Sequence, residues 1–76
     1  MTNTSSTQTI APASIPANAV TEDQGFRMLL DMGIYADEIV LAFYRLRNRL
    51  RTTLTQGGRA FEFERLGTDV YVILAA

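Results

Sequence analysis

The sequence predicts an α+β fold in which two helices pack on a C-terminal antiparallel β-hairpin, preceded by a flexible, uncharged N-terminal arm. Three observations carry this expectation. Thr21-Glu22-Asp23-Gln24 has the form of a capping box that opens a helix. Apolar residues then recur at helical spacing as far as Leu54. From Ala60 the period drops to two, with Phe61 and Phe63 alternating with Glu62 and Glu64, as in a strand with one dry face.

The first nineteen residues carry no charge and are dominated by Thr, Ser, Ala, Asn and Pro. Pro12 and Pro16 bias them toward extended backbone, so residues 1–20 are expected to form an arm and residues 21–76 the folding unit. Ile10 and Ile15 would suit the groove of a neighbouring subunit if the arm orders on assembly.

The first helix is expected over about residues 22–32. Glu22 and Asp23 favour its positive end, Phe26, Leu29 and Leu30 give its apolar face, and Gly33 offers a left-handed cap that folds Ile34 back on Leu29. The second is expected over about residues 36–54, again with acids first, and with Ile39, Phe43, Leu46, Leu50 and Leu54 as its buried stripe. Gly57-Gly58 then serves as the helix stop.

Gly67-Thr68 fits a two-residue hairpin turn that pairs Leu66 with Asp69 and sets Phe61 and Phe63 beside Leu74 and Val72. The returning strand from Val70 is apolar on both faces, which leaves Tyr71 and Ile73 as candidate partner contacts. An isolated hairpin is marginal in water, so self-association or a larger partner is expected to complete the fold.

Missing residue types narrow the chemistry. The 76 residues include no His, no Cys and no Lys, so there is no usual general base at neutral pH, no thiolate and no Schiff-base amine. The chain is therefore expected not to be an enzyme, and no cofactor, metal or small-molecule substrate is expected. The acid pairs Glu62/Glu64 and Asp37/Glu38 read as solvated surface groups. No run reaches the roughly 18 apolar residues of a membrane span. A cytoplasmic location, or one inside an assembly such as a virus particle, is the expectation.

Charge is segregated along the chain. Residues 1–44 hold Glu22, Asp23, Asp31, Asp37 and Glu38 against Arg27, whereas residues 45–59 hold Arg45, Arg47, Arg49, Arg51 and Arg59 with no acid. On a helix, Arg47 and Arg51 would border one side of the Leu stripe and Arg45 and Arg49 the other. Such a helix suits a partner with acidic groups around an apolar groove. The alternative is a dimeric nucleic-acid-binding regulator that contacts phosphates through the same four arginines. A bland alternative also stands, in which the arginines serve only the helix terminus and the chain's own acids.

Leu30-Asp31-Met32-Gly33-Ile34 resembles the Met-Gly-aromatic loop of ubiquitin-associated domains. Ile34 replaces the aromatic, and the chain turns to a two-residue period where those domains continue into a third helix. Helix capping accounts for the five residues, and no family is assigned from them.

Overall fold

A computed structural model describes residues 15–76; most of the expected arm lies outside the described residues. Two helices, α1 (Glu22–Asp31) and α2 (Ala36–Arg45), are followed by three strands, β1 (Arg51–Gln56), β2 (Arg59–Gly67) and β3 (Val70–Ala75). The strands form one antiparallel sheet in the order β1-β2-β3. The helices cover one face, α1 over β3 and α2 over β1.

The first helix forms for the reasons its sequence gives. Gln24 N–H donates to Thr21 Oγ1 at 3.1 Å while Thr21 N–H donates to Gln24 Oε1 at 2.9 Å, which closes the capping box. At the other end Gly33 has φ +86°, and the bonds Gly33 N to Leu30 O (2.9 Å) and Ile34 N to Leu29 O (3.0 Å) make a Schellman cap. Leu29 and Ile34 are thereby fixed together in the core.

The second helix is shorter than expected. It ends at Arg45 with Leu46 as its cap, and the chain re-enters regular structure at Arg51 as β1. Thr52, Thr53 and Thr55 are β-branched and suit a strand better than a helix interior. Gly57 and Gly58, read as a helix stop, are the two turn residues of a β1–β2 hairpin. Both have positive φ, +58° and +81°, and Gln56 pairs with Arg59 across them, which is type I′ geometry. The apolar stripe splits accordingly. Ile39, Phe43 and Leu46 are buried under α2, Leu54 is buried from β1, and Leu50 is left 61% exposed. The third strand gives the sheet what a lone hairpin lacks, a continuous apolar face packed on helices.

The second hairpin is also shifted from its expected register. Thr68 and Asp69 form its turn, Gly67 pairs with Val70, and the ladder is irregular between Arg65 and Gly67. Asp69 adopts φ +55°, which Asp tolerates better than most residues, and its Oδ1 accepts from Glu22 N–H at 2.8 Å. The turn is thus pinned to the start of α1. Phe61 and Phe63 consequently pair with Ala75 and Ile73, where Leu74 and Val72 were expected. A slip of one residue exchanges the faces of a strand.

Phe43 is the centre of the core. Its ring meets Phe63 edge-on at 5.4 Å and Tyr71 edge-on at 5.0 Å. Gly25 lets α1 approach this cluster closely: a Cβ there would lie 2.8 Å from Ile73 Cδ1 and 3.0 Å from Phe43 Cζ.

Candidate protein-binding surface

The register slip decides what β3 offers a partner. Tyr71 is buried against Phe43 and Ile73 packs on the core beneath Gly25, so neither candidate side chain forms the expected outer contact. The outer face carries Val70, Val72 and Leu74 instead. Val72 is buried, in register with Glu64, and Leu74 is 51% exposed. Both faces of β3 were expected to need cover, and only the Leu74 end does.

The backbone edge of β3 is partly closed. Val20 and Tyr71 exchange hydrogen bonds in both directions at 2.8 Å, so the residue before α1 acts as a one-residue fourth strand. Ladder alternation turns the backbone groups of Ile73 and Ala75 toward the same edge.

Burial around Tyr71 acts on its hydroxyl. Burial first, and then the nearby carboxylates of Glu22 and Asp69, raise its pKa above 10.0. These residues, with Asp23, Phe26, Val40 and Phe43, line an open cleft of about 580 Å³ between the helices and the β2–β3 turn.

The four candidate arginines do not form a helix face. Arg45 is the last residue of α2, Arg47 and Arg49 lie in the turns that follow, and Arg51 opens β1. All four are exposed at one end of the molecule. Arg47 Cζ lies 5.9 Å from the centroid of the Tyr44 ring. Arg51 Nη2 reaches Glu64 Oε2 at 3.6 Å, a solvated pair of small energetic weight. Among the described residues, Arg45, Arg47 and Arg49 have no carboxylate within ion-pair distance.

Two arginines that were not singled out have structural roles. On β2, Arg59 Nη2 donates to Met32 O at 2.7 Å and Arg65 Nε donates to Leu46 O at 2.8 Å, so each places a cation on the C-terminal carbonyls of one helix. Phe61 and Phe63 fall between them on the same face by strand alternation.

The largest departure from expectation is the outer side of α2. Ile39, Ala42 and Phe43 are buried, but Val40, Leu41 and Tyr44 point away from the sheet and are 56%, 41% and 60% exposed. A helix that is apolar on opposite faces normally has something packed on both. Exposed Leu30 and half-buried Phe26 lie one turn apart on α1, and Phe26 shares its cleft with Val40. The signal was present as six consecutive non-polar or aromatic residues, Ile39 to Tyr44, which is too long a run for a helix with one wet side.

Comparison with protein-family models, with curated proteins and with solved structures gives no significant match.

Among the described residues no three carboxylates come together in a group suited to a metal ion. Glu62 and Glu64 lie on the outer sheet face, where a shallow groove of about 430 Å³ is lined by Arg51, Thr53, Val72 and Leu74 beside them. Among the described residues no helix is long and apolar enough to cross a membrane.

Proposed function

We propose that this chain works by binding another protein surface and not by catalysis, and that the outer face of α2 makes the contact. The carrying observation is the exposure of Val40, Leu41 and Tyr44 on a helix whose opposite side is already buried. Contiguous apolar surface of this kind marks interaction sites, whereas scattered exposed apolar residues do not. Tyr44 supplies a large amphipathic ring, and Arg45 and Arg47 supply planar cations at its edge, a combination enriched where binding energy concentrates. A modulator of a larger protein, a self-associating adaptor or a minor component of an assembly would each use such a surface.

The test combines Leu41→Asp with Tyr44→Ser in one variant. Circular dichroism is expected to be unchanged, because both side chains point outward. Association, whether with itself or with a protein captured from the native host and weighed as an intact complex, is expected to fall at least tenfold. Undiminished association would refute α2 as the contact. Charge reversal at Arg47 together with Arg51 is expected to weaken capture more modestly.

The second reading, phosphate binding through Arg45, Arg47, Arg49 and Arg51, is favoured by their clustering at one end with only Arg51 ion-paired among the described residues. Binding of that kind weakens steeply with salt. Absence of filter retention of DNA and RNA at low salt would dismiss it.

A further inference from the structure

We infer that α2 pairs with α2 of a second copy of this chain, antiparallel, about a twofold axis beside Leu41 and Ala42. This rests on the binding reading above and names the occupant of that face.

The order of charge along the helix chooses the occupant. Glu38 and Arg45 are seven residues apart, so they stand on the same flank of the exposed ridge, nearly two turns from one another. Parallel pairing would set this flank against the opposite, apolar flank that carries Val40, and would leave Glu38 and Arg45 without partners of opposite charge. Antiparallel pairing opposes Glu38 to Arg45 of the second copy, and twofold symmetry repeats the contact in reverse. Leu41 lies at the axis and meets its own copy.

The groups needed are available. Glu38 and Arg45 are exposed, and among the described residues neither forms an ion pair within the chain. Beyond Arg45 the chain leaves the helical path, so the ridge is limited to this ten-residue helix. Such a helix is about 15 Å long. The contact therefore belongs to the small, reversible class of interfaces.

Sedimentation equilibrium of the full chain from low micromolar to near-millimolar concentration tests the pairing. The wild type is expected to pass from monomer to dimer. Glu38→Arg and Arg45→Glu alone are each expected to weaken the dimer about tenfold, because two attractions become two repulsions. An equimolar mixture of the two variants is expected to regain wild-type dimerisation, since each copy then carries the complement of the other. A wild type that stays monomeric throughout would overturn the pairing, as would variants that dimerise unchanged or a mixture no tighter than its components. The binding reading falls on a different result, undiminished capture by the Leu41/Tyr44 variant.

Discussion

Arg65 donates from Nε to the carbonyl oxygen of Leu46 at 2.8 Å, which ties the middle strand to the last turn of α2. A helix C-terminus leaves carbonyls without intrahelical partners and carries partial negative charge, so a cation there satisfies both deficits. This contact also marks where α2 stops. The chain must leave the helix at Leu46 for β1 to run beside β2, and Arg65 N–H in turn donates to Leu50 O at 2.8 Å.

Replacing Arg65 with Met keeps the aliphatic stem and removes the donor. Unfolding in urea is expected to show a loss of about 1.5–3 kcal/mol, the usual range for a hydrogen bond to a charged group. Arg59→Met is expected to lose less than about 1 kcal/mol, because Arg59 is solvent-exposed. Equal effects would mean that burial does not set the strength of these caps.

Gly25→Ala sets two effects against each other. Ala favours the helix by about 1 kcal/mol. Its Cβ, however, would press on Ile73 Cδ1 at 2.8 Å and Phe43 Cζ at 3.0 Å. Ile73 can yield at its tip, whereas the Phe43 ring is held by Phe63 and Tyr71. The net expectation is destabilisation of about 1–2 kcal/mol. Ile73→Val added to Gly25→Ala should recover part of it, because the nearest atom is then gone.

The β1–β2 turn gives a cleaner conformational test. Nothing lies within 4 Å of a Cβ at Gly57 or Gly58, so only the positive φ matters. Gly57→Asn, which builds the favoured Asn-Gly pair, is expected to leave the melting temperature unchanged or raise it. Gly58→Val is expected to lower stability by about 1–2 kcal/mol.

The raised pKa of Tyr71 makes an alkaline prediction. The unfolded chain ionises this phenol near 10.0 and the folded chain only at higher pH, so between the two the folded state holds the extra proton. Its stabilising contribution is complete below about pH 10 and is lost as pH rises through the folded value. Tyrosinate absorbance should show an ionisation step displaced above pH 10. Tyr71→Phe should remove that step and flatten the fall in stability above pH 10.

The first helix and the class of fold were legible because their signals are local. Thr21 and Gln24 are three residues apart, and Gly33 acts on the carbonyls immediately before it. The end of α2 was not legible in the same way. Leu46, Leu50 and Leu54 fit a helical period, but Leu54 also fits the strand alternation by which it is buried. Periodicity alone does not separate these for a stretch this short. Gly57-Gly58 was itself a hairpin signal, and reading it as a helix stop concealed β1.

The candidate surface was divided similarly. The arginines were expected on two flanks of one helix, and that arrangement is lost because α2 stops at Arg45 and Arg51 opens β1. Tyr71 and Ile73 were assigned outward because the hairpin turn was placed one residue early. The true turn is held by a contact the sequence does not display, the bond from Glu22 N–H to Asp69 Oδ1 between residues far apart in the chain.

By itself the sequence determined the residue types available and the elements set by near neighbours: no His, Cys or Lys chemistry, a capped first helix, and strands at the end. Tertiary structure decided which side of each apolar stretch is covered, placing Tyr71 and Ile73 inside and Val40, Leu41 and Tyr44 outside. The physical reason is that burial depends on what packs against a side chain. A one-residue change of register, or a helix ended about nine residues early, redirects whole faces while barely altering the local pattern.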